Sequence, residues 1–278
     1  MLTLKNHPEL CAVNTATFGF QAPLTKVIDE VARAGFGAIA PWRREIEGQD
    51  VKALSKQIRD AGLKVTGYCR SEYFTGSTKI ARKAAMKANA KALDGAAELN
   101  AAYFALVVGT GRNLNLVRQQ VEDGVAELLE HAREVGVKLA VEPLHPVYAA
   151  DRACINTIAQ ALALCQRIEG KVKKPMLGLL VDCYHVWWDP ALESSIAAAG
   201  NRILGFHVSD WLMPVRDVLN DRGMMGDGII DLPYIRELVE KAGYNSFVEV
   251  EIFSSENWWK RPMDETCRVM RERLFTRV

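Results

Sequence analysis

The sequence predicts an α/β protein folded as a single (β/α)8 TIM barrel over residues 1–278. Three observations predict it. Short runs rich in Val, Ile, Leu and Ala alternate with longer segments of helical period along the whole chain, the pattern of βαβ units and a parallel sheet. Eight such units fill the 278 residues, whereas an open doubly wound sheet has fewer units and a glycine-rich first turn, and no GxGxxG follows the first strand. No low-complexity linker divides the chain and no motif recurs between units, so neither two domains nor a solenoid is expected.

The elements follow in order. The first strand is expected over residues 10–18 and its helix from Pro23, which suits a first helical turn, to a stop at Gly35. GAIAPW reads as the second strand, and VKALSKQIRDAG as its helix, with Leu54, Ile58 and Ala61 on one stripe. KVTGYCR is the third strand, followed by a long helix through RKAAMKANAKALDGAAELN, and AAYFALVVG is the fourth. NLVRQQVEDGVAELLEHAREVG and VKLAVEPL supply the fourth helix and fifth strand, then CINTIAQALALCQRIE the fifth helix. MLGLLVDCYHVW, PALESSIAAAG, RILGFHVSDW, DLPYIRELVEKAG, SFVEVEIF and RPMDETCRVMRERL complete the alternation.

Composition excludes several function classes. A chain 49% hydrophobic and 25% charged can bury a large core, and the 35 basic and 34 acidic residues leave no basic face for nucleic acid. No apolar run is long enough to span a bilayer, and the start, MLTLKNHPELCAV, lacks the order of a signal peptide, so a cytoplasmic location is expected. Six scattered cysteines without a CxxC pair read as reduced, mostly buried thiols.

In a barrel of this kind chemistry sits where strands end and βα loops begin, so polar residues late in apolar strands are the candidates. Four consecutive strands end in metal-ligand types. The fifth carries Glu142 and His145 in VEPLHP, the sixth Asp182 and His185 in VDCYHVWW, the seventh His207 and Asp210 in GFHVSDW, and the eighth Glu249 and Glu251 in VEVEIFS. A lone buried His or Asp is most often a hydrogen-bonded structural group. Four together on one rim are better explained by a shared cation, which removes the cost of burying each carboxylate. Glu142, Asp182, His207 and Glu251 are therefore the expected ligands of one divalent ion. Oxygen-rich ligation with one imidazole favours Mn2+ or Mg2+, with Co2+ and Zn2+ as alternatives. Alternation puts Glu249 on the same strand face as Glu251 but deeper, as a supporting or core polar group, and sends Cys183 to the opposite face from Asp182. Asp210 is expected to orient His207 or another rim group.

The series VEPLHP, VDCYHVWWD, GFHVSDW with downstream Arg216 and GDGIIDL, and finally VEIFS, resembles the xylose isomerase-like barrel superfamily. Its nearest groups are the sugar phosphate isomerases and epimerases, including ketose 3-epimerases, with inosose dehydratases and apurinic endonucleases as relatives. The resemblance covers nearly the whole chain and is most specific from Glu142 to Ser254. It implies that Glu142, Asp182, His207 and Glu251 bind the metal and that His185 and Arg216 contact substrate oxygens. Against the endonuclease branch, five histidines, with His131 inside a helix, do not support a trinuclear site. His145 and the pairs Trp187–Trp188 and Trp258–Trp259 depart from the ketose epimerases, and no glycine-rich phosphate cradle is present.

The chemistry expected is abstraction of a proton beside a carbonyl, with a cation stabilising the enediolate as it forms. Glu142 would take the proton and Glu251 return one, inverting the centre of a sugar or polyol-derived ketone. If a leaving group sits at the β carbon, the same enediolate expels it, giving an inosose-type dehydratase or a lyase that cleaves 3-keto-glycosides or C-glycosides, with His145 as the added acid or base. His145 has an equally simple structural role, capping the strand before Pro146. Trp42 could wall the pocket against a sugar face. The paired tryptophans could line that pocket or an interface between copies, and a non-enzyme alternative is a barrel subunit that works only with a partner.

Overall fold

A computed structural model describes residues 3–278; the first two residues of the expected 1–278 barrel lie outside the described residues. The strands are β1 (Cys11–Asn14), β2 (Ala38–Ala40), β3 (Lys64–Val65), β4 (Gly67–Tyr68), β5 (Tyr103–Leu106), β6 (Lys138–Val141), β7 (Leu177–Asp182), β8 (Ile203–Val208), β9 (Asp210–Trp211), β10 (Arg222–Gly223) and β11 (Val248–Val250). The helices are α1 (Leu24–Arg33), α2 (Arg43–Ile46), α3 (Val51–Asp60), α4 (Lys79–Glu98), α5 (Leu114–Val135), α6 (Ile158–Glu169), α7 (Cys183–Val186), α8 (Leu192–Ala199), α9 (Leu232–Lys241) and α10 (Met263–Arg277).

The sheet runs β3-β2-β1-β11-β8-β7-β6-β5-β4, every neighbouring pair being parallel. β3 and β4 are two pieces of one strand separated by Thr66, so the two ends of this order meet. Thr66 closes the ring itself: its N–H donates to Ile39 O at 3.2 Å on one side, and its carbonyl accepts from Tyr103 N at 3.3 Å on the other. The result is the eight-stranded parallel barrel that the alternation predicts. The fifth to eighth barrel strands are β6, β7, β8 and β11.

Local chemistry sets most boundaries. Asp50, Thr78, Asn113, Thr157 and Asp231 each cap a helix by accepting a backbone N–H with the side chain. Gly35 follows α1 at φ +78° and Gly136 follows α5 at φ +75°, the left-handed conformation that ends a helix cheaply only at glycine. The first strand is shorter than expected. Asn14 Oδ1 accepts from Ala16 N at 3.2 Å, and this side-chain turn bends residues 15–18 into a 3-10 helix. Similarly, Asp182 caps α7 through Tyr184 N at 2.9 Å, so the sixth strand stops at the residue carrying the carboxylate. Apolar residues on the outward strand faces pack under the helices; Cys183 belongs to this layer, as alternation expects. All six cysteines are free and buried. Among the described residues no helix is long and apolar enough to cross a membrane.

Candidate metal centre

Four side chains converge on the C-terminal rim. Glu142 directly follows β6, Asp182 ends β7, His207 is the next-to-last residue of β8, and Glu251 directly follows β11. Each offers one ligand atom, the four atoms lie within 4.8 Å of one another, and all four residues are buried. Strand register produces the cluster: Asp182 pairs with His207 across β7 and β8, and Glu249 pairs with His207 across β8 and β11. Glu251, two residues beyond Glu249, then faces the same interior one pleat nearer the rim.

His207 carries the deciding detail. Its Nε2 lies 3.0 Å from Glu249 Oε1 and 3.1 Å from the Tyr103 hydroxyl. An ionised carboxylate only accepts, so Nε2 carries the proton and Nδ1 faces the ligand oxygens. Nδ1 is buried with no hydrogen-bond partner, Glu251 Oε2 at 3.6 Å being too far. Glu249 also accepts from Asn14 Nδ2 at 2.9 Å and Thr66 Oγ1 at 2.5 Å. Tyr103 reaches this group across the barrel because two facing positions are glycine. A Cβ on Gly67 would come within 2.4 Å of the Tyr103 ring, and one on Gly205 within 2.7 Å.

Arg222 supplies the counter-charge. Its Nη1 donates to Asp182 Oδ2 at 2.8 Å and to Glu251 Oε2 at 3.2 Å, while the guanidinium sits 4.3 Å over the Tyr184 ring and 5.2 Å over Phe253. Burial, with repulsion from Glu251 and Asp182, pushes the Glu142 carboxyl up to about 8. Burial also raises Asp182, against the pull of Arg222. For Glu251 burial acts upward too, but His207 and Arg222 together outweigh it and hold the carboxyl below its ordinary value. Burial pushes His207 down, yet the charge and hydrogen bond of Glu249 and the neighbouring Glu251 lift it well above the ordinary imidazole range. With no cation, Nδ1 therefore takes a proton. One divalent cation would bring three carboxylates and Arg222 to neutrality and satisfy Nδ1. The residues present fit such an ion.

A pH dependence follows. Glu142 and His207 are both raised in the fold, so each stabilises it fully below its ordinary value, and that contribution is lost as pH climbs to the raised one. For Glu142 the window is from 4.5 to about 8. The metal-free protein should lose thermal stability across this window, and saturating Mn2+ should flatten the slope. Calorimetric titration in two buffers of different ionisation enthalpy should show proton release on metal uptake near neutral pH. Proton-neutral uptake there would contradict these assignments.

Other expected residues are placed unequally. The cavity above the cluster is lined by Glu142, His207, Glu251, His185, Arg222 and Trp42, among others. His185 accepts from His145 N through Nδ1 at 3.2 Å, and burial followed by Arg222 keeps its pKa well below the ordinary value. Trp42 is fixed by its Nε1 donating to Asn14 Oδ1 at 2.6 Å and by edge contact with Phe253, ring centres 5.5 Å apart.

Three residues are not where the sequence suggests. Arg216 is turned outward, its side chain 58% exposed, with Nε donating to Asp221 Oδ2 at 2.9 Å. The cavity arginine is Arg222. The ring of His145 lies 4.7 Å from Trp211, outside the cavity lining, with Nδ1 capping the following 3-10 turn at Val147 N. Asp210 does not touch His207; it accepts from Trp211 N, Gly226 N and Ile230 N at 2.9 to 3.0 Å and so brackets the long loop after β8. That bracket, with the antiparallel pairing of Trp211 and Arg222 in β9 and β10, turns Arg222 back over the barrel. Of the paired tryptophans none lines the cavity: Trp187 packs on Trp211, Trp188 donates to His185 O, Trp258 is buried and Trp259 donates to Ala16 O. Sequence reasoning also passed over Tyr103, Asn14 and Thr66 as partners of Glu249; the period-two placement of Glu249 inside the barrel was the signal that it needed donors.

Residues 28–273 match the family described as xylose isomerase-like TIM barrel. The chain belongs to that family. Among solved structures, protein SMc04130 of Sinorhizobium meliloti 1021 is 45% identical, with a TM-score of 0.91 over 95% of this chain and 97% of that one. A zinc-bound structure of the IolI protein has a TM-score of 0.82 at 20% identity, covering 95% of each chain, a likeness of fold. An inosose isomerase from Bacillus licheniformis is 31% identical over 154 residues, 53% of this chain and 51% of that protein. A fructoselysine 3-epimerase of Escherichia coli O157:H7 is 28% identical over 169 residues, 58% and 56% of the two chains. The chain thus matches about half the length of these curated relatives.

Proposed function

We propose that this protein is a divalent-metal-dependent isomerase or epimerase acting on a sugar or cyclitol ketone by proton transfer at the carbon beside the carbonyl. The observation that carries this reading is the buried set Glu142, Asp182, His207 and Glu251 with an unpartnered His207 Nδ1 at the floor of a cavity. The isomerase and epimerase relatives support the reaction class. A bound divalent ion, Mn2+ or Mg2+ favoured over Co2+ or Zn2+, would supply Lewis-acid stabilisation of the negative charge on the enediolate. Glu142 and Glu251 come from strands separated by two others and both line the cavity, so they can exchange a proton with opposite sides of one carbon. Glu142 is the group that takes the proton and Glu251 the group that returns one. Arg222, whose buried Nε has no partner, offers an N–H to a substrate oxygen, His185 lines the same cavity with its Nε2 3.2 Å from Arg222 Nη2, and Trp42 with Phe253 forms an apolar wall against the sugar. The ring of His145, the added acid or base of the elimination variant, stands outside the cavity lining and packs on Trp211.

The test is a panel of ketoses, inososes and 3-keto-glycosides in D2O with Mn2+ added to the protein. Deuterium should enter next to the carbonyl of at least one of them, and chelator should stop it. No exchange on any substrate, with close to one ion bound per chain, would sink the reading. Release of a leaving group without any inverted or isomerised product would instead favour a lyase.

A further inference from the structure

Two cationic side chains of the cavity have no ion-pair partner among the described residues. Arg70, just past β4, and Arg152, past the 3-10 turn Pro146–Tyr148, both line it and both are half-buried. Arg222, the third arginine of the lining, is spent on Asp182 and Glu251. Among the described residues, neither Arg70 nor Arg152 has a carboxylate within ion-pair distance. The acids nearby are already engaged: Glu72 pairs with Arg43 at 2.9 Å, and Asp217 accepts from Leu219 N and Asn220 N at 2.7 and 2.8 Å. Asp151, next to Arg152 in sequence, is exposed and forms no ion pair with it.

Both guanidinium groups are nonetheless held in place. Arg70 lies 5.0 Å from the centre of the Tyr73 ring and donates to Ser71 O at 3.0 Å. Arg152 lies 5.5 Å from the centre of the Tyr148 ring, whose hydroxyl is itself anchored on Val218 O. A guanidinium held over a ring face in this way keeps N–H groups available for an anion. A neutral polyol makes no use of two such charges; an oxyanion recruits both through charge-assisted, bidentate bonds.

The geometry points to a ketone substrate that carries an anionic group, a carboxylate or a phosphate ester, at the end remote from the reacting carbonyl, with Arg70 and Arg152 as its binding residues. This rests on the isomerase reading above and adds the substrate class. The metal centre takes the carbonyl end and is balanced by its own charges. The two arginines lie on the loops after β4 and β6, less buried than the metal ligands, and select the far end.

Matched ketoses that differ only at C6 test it: D-fructose, D-fructuronate and D-fructose 6-phosphate, and the same three forms in the tagato configuration. Binding to the Mn2+-loaded full-length protein is measured by calorimetry, so no turnover is needed. At least one charged form should bind roughly tenfold or more tightly than its neutral counterpart, a preference that shrinks as salt is raised. The carboxylate and phosphate arms tell which oxyanion is the better fit. In the R70Q/R152Q double variant the charged-to-neutral ratio should fall to near one, and R70K/R152K should restore part of it. Equal binding of neutral and charged ketoses, including no binding by any charged form, would overturn the inference. So would equal loss of both classes in the Gln variant. Failure of the isomerase reading is seen separately, as absence of solvent exchange whatever the ketose's charge.

Discussion

Glu251→Gln should lower turnover by roughly 10²–10⁴-fold, the span of a general acid or base, while the protein stays folded and still takes up metal more weakly. Glu251 is kept ionised by His207 and by Arg222, whose Nη1 donates to Oε2 at 3.2 Å. An amide of the same shape can neither return a proton nor accept with both terminal atoms, and its NH2 meets Arg222 donor to donor. Solvent exchange distinguishes the two glutamates. Glu251→Gln should block formation of the inverted or isomerised product but leave hydrogen exchange at the face Glu142 serves. Glu142→Gln should abolish exchange from that side. Near-normal turnover by Glu251→Gln with metal fully bound would refute the two-glutamate scheme.

The second large effect is expected at Glu249, which does not itself line the cavity. Its carboxylate holds His207 by Nε2, and groups that orient a metal-ligating imidazole in this way are worth about 10–100-fold in metal affinity. Glu249→Gln should weaken Mn2+ binding by that order, because the amide can present its NH2 to Nε2 and favour the wrong tautomer. Glu249→Ala should do more. It strips the acceptor from Asn14 Nδ2, Thr66 Oγ1 and Tyr103 OH inside the barrel, and each buried donor left unmatched costs about 1–3 kcal/mol. Metal titration and thermal unfolding separate the two: Gln should move the first most, Ala both. If Glu249→Gln bound metal as tightly as the parent protein, the orienting role would be wrong.

Both expectations rest on one electrostatic arrangement. Three carboxylates and one arginine are buried together, an arrangement costly to leave unbalanced, and the polar layer beneath them is fully occupied by Glu249 and its donors. The site is thus braced from below by the barrel interior and opened above by the loops. That division explains why substitutions in the supporting layer should register in metal affinity, and why substitutions at Arg70 and Arg152 should register in substrate charge.

The sequence by itself determined the barrel and the rim on which to look. Strand alternation is local, so period two alone places Glu142, Asp182, His207 and Glu251 late in four strands and Glu249 one pleat below Glu251. Only the tertiary structure decided which loop side chains reach the cavity. Arg216 and Arg222 sit six residues apart in one irregular loop, where no period sorts inward from outward. Asp221 draws the first away while the bracket at Asp210 and the β9–β10 pairing aim the second inward. His145 likewise follows the turn at Pro146 toward Trp211, out of the lining. Tyr103 meets His207 only because Gly67 and Gly205, on two other strands, leave its path open across the barrel. Each of these contacts depends on hydrogen bonds or close packing between segments far apart in the chain, information that periodicity within a segment does not contain.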